Sequence, residues 1–197
     1  MFTGIVEELG RVLSIDRHDA GARLVVKSPI AGRLSQGGSI AVNGVCLTAL
    51  NPDSISFAAD LAPETLRASN LGDLVNGAPV NLELPVTPAT LLSGHIMQGH
   101  VDGTGELESL EPLGNENWWL RVRVPRELDR YIVYKGSLAI DGISLTVAAI
   151  EAGVASVTII PHTHANTTLG HRRPGDRLNL ECDVLAKYVE KLLGDRR

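Results

Sequence analysis

The sequence predicts an all-β fold: two tandem small six-stranded Greek-key-type β-barrels related by internal duplication, plus a C-terminal α-helix. Three observations carry this expectation. The chain repeats itself once at domain length, each copy is a series of short β-type runs, and only the tail has helical periodicity. A shift of 98 residues lays "GSIAVNGVCLT" (38–48) on "GSLAIDGISLT" (136–146), with six of eleven positions identical. The same shift lays "PETLRASNLGDLVNGAPVNLE" (63–83) on "PHTHANTTLGHRRPGDRLNLE" (161–181), with eight of twenty-one identical. At the starts a shift of 95 aligns "GIVEELG" (4–10) with "GHVDGTG" (99–105), so the second copy is three residues longer, an excess we place at 111–117. One repeat of this size is a whole domain, whereas a solenoid needs several shorter units.

In chain order, "ARLVVKS", "SIAVNGVCLTAL", "SISFAADL" and "APVNLEL" are short, β-branched or alternating, and bounded by Gly, Pro, Asn and Asp. Asn43-Gly44 inside the longest run marks a tight turn or a bulge. A short helical piece is expected at 63–68 and again at its partner in the second copy. "LPVTPATLLSG" (84–94), with two prolines and small residues, reads as a linker. The second copy supplies "WWLRVRV", "SLAIDGISLTVAAI", "ASVTIIP" and "DRLNLE", with Asp141-Gly142 where the first has Asn43-Gly44. Closing each set into a barrel removes exposed sheet edges. Asp183 then caps a helix running to about residue 194, with Val184, Leu185, Tyr188, Val189, Leu192 and Leu193 on one stripe. That stripe either packs back on its own barrel or bundles with other chains. The domains are therefore expected at 1–95, 96–182 and 183–197.

Bulk properties exclude several classes of function. The 197 residues carry a net charge of −5, which gives no general attraction to nucleic acid or anionic membranes. No run of 18 apolar residues exists, and "MFTGIVEELGR" has two early glutamates and no basic stretch, unlike a secretion signal. Cys46 and Cys182 are too few and too far apart for a disulfide framework, so a cytoplasmic setting is expected. No Gly-rich phosphate loop, dinucleotide fingerprint or nucleophile–His–acid triad appears. His95, His100, His162 and His164 find no Cys or carboxylate at zinc-ligand spacing, so no metal is expected.

The informative positions are those where the copies differ in polar chemistry. Ile5 aligns with His100, Glu7 with Asp102, Cys46 with Ser144 and Glu64 with His162, while Thr48/Thr146 and Thr65/Thr163 are shared. Most lie beside Gly or Pro, at strand ends and turns, where binding groups gather on a rigid scaffold. Each has a plain structural reading: Cys46 as a small buried hydrophobe, Ser144 as a turn hydroxyl, His100 as a loop imidazole held by Asp102. As reactive groups they are a thiol, a hydroxyl and a proton shuttle. Taken alone, the residues describe two similar barrels that bind two related ligands or two copies of one.

"MFTGIVEELG", "NGVCLT", "ETLRASNLGDL", "GHIMQGHVDGTGEL", "KGSLAIDGISLTV", "IPHT" with "TTLG", and "GDRLNLECDVLAKYVE" occur in register from residue 1 to about residue 191. In this the chain resembles the riboflavin synthase family with its duplicated lumazine-binding domain. The resemblance implies the dismutation of two molecules of 6,7-dimethyl-8-ribityllumazine to riboflavin and 5-amino-6-(ribitylamino)uracil, without any cofactor. It also implies a homotrimer whose terminal helices bundle, the reacting pair meeting between the N-terminal barrel of one subunit and the C-terminal barrel of another. Association with lumazine synthase is left open. A non-catalytic lumazine- or flavin-binding protein of the same family is the alternative.

Carried over by residue, the resemblance implies pteridine contacts at Gly4, Ile5, Val6, Cys46, Leu47, Thr48, Asp60, Leu61, Ala62, Pro63, Glu64 and Thr65 in the first barrel. In the second it implies Gly99, His100, Val101, Lys135, Ser144, Leu145, Thr146, Ile160, Pro161, His162, Thr163, His164 and Ala165. It makes His100 and Ser144, with Cys46 across the subunit interface, the groups for proton transfer and nucleophile activation. Asp141 and Asp183 would orient them, and Ser39 is a secondary candidate. His164 departs from the family, which more often has an apolar residue there.

Overall fold

A computed structural model describes residues 1–194; the last three residues of the expected helical segment, 195–197, lie outside the described residues. The first barrel consists of β1 (Glu8–His18), β2 (Gly21–Lys27), β3 (Ser39–Val42), β4 (Val45–Thr48), β5 (Ser56–Leu61) and β6 (Pro79–Glu83). The second consists of β7 (Gly103–Gly114), β8 (Asn117–Arg123), β9 (Ser137–Ile140), β10 (Ile143–Glu151), β11 (Val154–Ile159) and β12 (Arg177–Cys182). Short helices α1 (Pro63–Ala68), α2 (Arg126–Asp129) and α3 (Pro161–Asn166) cross the barrel ends, and α4 (Val184–Leu193) follows the second barrel.

All ladders are antiparallel, and both sheets share one cyclic order: β4-β3-β6-β1-β2-β5 in the first, β10-β9-β12-β7-β8-β11 in the second. The second sheet closes fully. In the first, the last seam is a single bridge in which Leu50 and Ala58 exchange two 2.8 Å backbone hydrogen bonds. Each barrel has its own core. Leu24, Ile40, Phe57, Leu71 and Leu82 fill the first, and Leu120, Leu138, Ile140, Val157 and Leu180 fill the second.

β1 and β7, the longest strands, are the members of the expected six that no quoted run of sequence marks. Each contains a bulge, between Val12 and Ser14 and between Leu107 and Ser109. A bulge slips the inside–outside alternation by one residue and hides the period of two.

Asn43-Gly44 and Asp141-Gly142 form two-residue hairpin turns with φ of 46°, 79°, 48° and 78°, which suits Asn-Gly and Asp-Gly because both positions need φ > 0. These turns meet back to back, each against the other barrel's turn. A Cβ on Gly44 would lie 2.7 Å from the Gly142 nitrogen, and one on Gly142 would lie 2.6 Å from the Gly44 nitrogen. Around them runs a buried polar lattice. Asn81 donates from its amide to the Asp141 carbonyl, and Asn179 donates to the Asn43 carbonyl. The backbone N–H of Asn81 donates to the Asn43 side chain, as that of Asn179 does to Asp141. The duplication is thus written into the contact between the two barrels.

Candidate active site

The chain leader of each barrel packs on the other barrel. Residues 1–6 precede β1, yet Phe2 pairs with Met97 and Val6 packs into the second core. Residues 97–101 precede β7, yet Val101 packs on the first core. Consequently Ser144 on β10 donates its N–H to the Gly4 carbonyl, and Cys46 on β4 donates its N–H to the Gly99 carbonyl, both at 2.8 Å. The fit is close. A Cβ on Gly4 or Gly99 would lie 2.6 Å from the Cβ of Ser144 or Cys46, and both glycines have φ near +80°.

This crossing changes the expected grouping. Gly4 meets Ser144 and Val6 packs into the second core, whereas Gly99 meets Cys46 and Val101 packs on the first; Ile5 lines a separate recess with Glu7, Arg33 and Glu83 of the first copy. Within one chain His100 therefore follows Gly99 to the strand of Cys46 and is not grouped with Ser144. The physical reason is that each leader satisfies its backbone groups on the facing barrel before turning into its own first strand.

The second site is a pocket of about 380 Å³ on the outer face of β10 and β11, lined by Lys135, Ser144, Leu145, Thr146, Ala148, Thr158, Ile160 and Thr163. Alternation puts Ser144 and Thr146 on one face of β10, and a bulge between Val147 and Ala149 brings Ala148 to the same pocket. Lys135 sits in a left-handed turn (φ 64°), and its ammonium stands 5.1 Å from the Tyr134 ring centroid. The first copy has Gly37 at the corresponding place, so this cation belongs to the second pocket alone.

Ser144 has a partner that the repeat comparison did not reveal. His95 Nδ1 lies 2.7 Å from Ser144 Oγ, and the imidazole is buried, with Nε2 finding no hydrogen-bond partner among the described residues. Burial holds the His95 pKa below the ordinary histidine value, while the negative charge of Asp183 pulls it back up. A neutral imidazole against a serine hydroxyl can accept or return a proton. His95 lies ahead of the aligned repeat segments, which start at Gly4 and Gly99, so the repeat comparison does not reach it.

In the first site Cys46 is half-buried, and Thr48 lies exposed across the ladder from Ser39. Asp60, exposed, makes a two-pronged ion pair with Arg23 at 2.8 and 2.9 Å. Leu61 is buried, and Ala62 leads into α1, which Pro63 opens. Glu64 pairs with Arg67 one turn along, which holds its carboxyl below the usual range, and Thr65 accepts the Ser69 hydroxyl at its carbonyl. Leu47 points into the first core.

On α3, led by Ile160 and Pro161, His162 is exposed, and His164 stacks on Trp118 with centroids 3.8 Å apart and planes 5° from parallel. His164, the departure from the family, is thus held as an aromatic plate. Desolvation pushes its pKa down, and His171 adds to that. Thr163 accepts the Thr167 hydroxyl at its carbonyl, and Ala165 is exposed.

Among the described residues, Asp141 hydrogen-bonds none of Cys46, His100 and Ser144. Its carboxylate is fully buried between the barrels, taking Asn70 and the Asn179 N–H on one oxygen and Arg172 on the other at 2.5 and 3.1 Å. It is a joint of the fold, where the first copy needs only the neutral Asn43. Asp183 caps α4 through the Leu185 N–H and contributes its charge to the surroundings of His95.

Comparison with known proteins follows from this geometry. The lumazine binding domain family matches residues 3–85 and 98–183, once per barrel. The riboflavin synthase of Mycobacterium bovis is 48% identical over 200 residues, covering 98% of each chain. That of Actinobacillus pleuropneumoniae is 42% identical, over 98% of this chain and 90% of its own, and that of Bacillus subtilis is 37% identical over the same shares. In fold, LumP complexed with 6,7-dimethyl-8-(1'-D-ribityl) lumazine superposes with a TM-score of 0.84 at 21% identity, covering 92% of this chain and 99% of its own. LumP complexed with riboflavin gives the same TM-score at 22% identity.

Proposed function

The chain belongs to the riboflavin synthase family of duplicated lumazine-binding domains, and on that footing we propose that it dismutates two molecules of 6,7-dimethyl-8-ribityllumazine. One molecule gives up a four-carbon unit and the other takes it, yielding riboflavin and 5-amino-6-(ribitylamino)uracil. The observation that carries the reading is the unequal pair of matched sites. Each barrel brings a strand residue against the other barrel's leader, but one site holds Cys46 against the Gly99-His100 leader and the other holds Ser144 hydrogen-bonded to His95.

Two identical substrates that play opposite parts require this combination of shared shape and different reactive groups. The C7 methyl of the lumazine loses a proton with relative ease because the resulting anion spreads over the pteridine, so a neutral imidazole is base enough. His100, exposed on the leader whose Gly99 carbonyl engages Cys46, is the group we assign to that step. A hydroxyl or water adds at C7 of the other molecule, and the Ser144–His95 pair supports that addition. Lys135 offers a positive charge to a pteridine carbonyl oxygen as negative charge develops on it. No cofactor is called for, since holding the two rings face to face supplies up to about 7–11 kcal/mol of the acceleration.

α4 supports assembly into a homotrimer. Leu185, Tyr188, Val189, Leu192 and Leu193 are all more than half exposed, an apolar stripe that bundling with two further copies would cover. No described helix is long and apolar enough to cross a membrane. The test is incubation of the purified protein with 6,7-dimethyl-8-ribityllumazine alone. Riboflavin absorbance should rise as one flavin forms per two lumazines consumed; binding without conversion would favour the non-catalytic alternative. Co-sedimentation with lumazine synthase tests that association separately.

A further inference from the structure

Each crossing leader is pinned by one buried carboxylate at the end of a strand. Glu181 on β12 is 3% exposed. It accepts the backbone N–H groups of Gln98 at 2.6 Å, Gly99 at 3.0 Å and His100 at 3.1 Å. Glu83 on β6 accepts the N–H groups of Thr3 and Gly4 at 2.6 and 3.0 Å and the Thr3 hydroxyl at 2.7 Å. The left-handed glycine in each leader turns successive N–H groups inward into a concave anion-binding nest, and the chain's own carboxylate fills it.

Burying a carboxylate is expensive unless its oxygens are hydrogen-bonded, so this arrangement is strict about geometry. What it fixes differs between the copies. Glu83 holds a leader whose exposed side chain is Ile5, which cannot titrate. Glu181 belongs to the second barrel, yet it holds the turn that carries His100 and whose Gly99 carbonyl engages Cys46 of the first.

We propose that Glu181 is a positioning residue for the reaction: through the Gln98-Gly99-His100 turn, one barrel's carboxylate aims the imidazole that works in the other barrel's site. The proposal rests on the reading of the chain as a lumazine-dismutating enzyme in which His100 moves a proton. It makes the first site dependent on the second barrel within one chain.

The test is a double-mutant cycle in the full-length protein, with kcat and KM for riboflavin formation measured for E181Q, H100A and H100A/E181Q, and for E83Q with and without H100A. Glutamine keeps the shape of Glu181 but sets an NH₂ against N–H donors. E181Q should lower kcat by roughly 10- to 100-fold, with KM changed much less, because it disturbs a proton-transfer group and leaves the pocket in place. In the H100A background it should cost less than about threefold more, since the group it acts through is gone. E83Q should keep its full effect in that background. Independent, multiplying losses for E181Q and H100A would overturn the proposal. If E181Q does not fold, E181D, which retains the charge on a shorter arm, enters the same cycle and is read in the same way. A wild-type protein that makes no riboflavin would remove the underlying reading as well, whereas an additive cycle in an active enzyme removes only this inference.

Discussion

Replacing Arg172 with alanine should destabilise the chain by about 3 kcal/mol, and a second substitution, Asp141→Asn, should restore most of it. Asp141 is fully buried, and Arg172 supplies two of the four hydrogen bonds on its carboxylate. Removing one partner of a buried ion pair costs about 3–5 kcal/mol because a charge is left without compensation. The Arg172 side chain is 19% exposed, and Asn70 and Asn179 still hold the other oxygen, so the lower end applies. Asparagine removes the charge but keeps the acceptor for the Asn179 N–H, and it tolerates the left-handed φ of 48°, as Asn43 does at 46°. The double variant should therefore lie within about 1 kcal/mol of wild type. Burial pushes the Asp141 carboxyl up, against the pull of Arg172. With Arg172 gone that rise grows, and stability from a raised carboxyl is present in acid and lost as pH climbs through the folded value. The R172A deficit should thus shrink as pH falls. Urea unfolding followed by circular dichroism, at one fixed protein concentration because assembly contributes to stability, reads all three variants. Additive losses in the double variant would refute the ion-pair argument. A D141N enzyme that stays folded but loses turnover would return Asp141 to the role of orienting Ser144.

Three further outcomes follow from the same geometry. The depressed pKa of His95 means its contribution to stability is present above the unfolded value near 6.5 and fades as pH falls through the folded one; the urea midpoint of wild type should drop more steeply below about pH 6.5 than that of H95Q. Gly99→Ala must fit a methyl 2.6 Å from Cys46 Cβ at φ +78°, so it should cost about 1–2 kcal/mol from backbone strain alone and weaken lumazine binding in the first site, as seen by fluorescence titration. Leu192→Asp puts a charge on the most exposed residue of the α4 stripe, at 84%; sedimentation should show a smaller species with folded barrels, and an unchanged mass would remove α4 from the assembly.

How much of this was legible in the sequence depended on whether the signal was local. The duplication, the Asn-Gly and Asp-Gly turns, and α1 beginning at Pro63 follow from short-range stereochemistry, and each was readable from a few neighbouring residues. β1 and β7 were not, because a bulge interrupts the alternation that marks a strand. The site divides in the same way. Cys46 against Ser144 stood out because two copies could be laid side by side, but His95 had no counterpart to differ from, and its contact with Ser144 spans 49 residues. Nor could a linear reading show that each leader crosses over. "GIVEELG" and "GHVDGTG" align as the starts of their own copies, and only the hydrogen bonds Ser144 to Gly4 and Cys46 to Gly99 reveal the exchange. That exchange bears on how one chain could divide its labour after duplication. Since each reactive strand residue is braced by the other copy's leader, a substitution in one copy changes the surroundings of the other's site. Ile5 and His100, like Cys46 and Ser144, therefore differ within a coupled pair of contacts, each built from both copies.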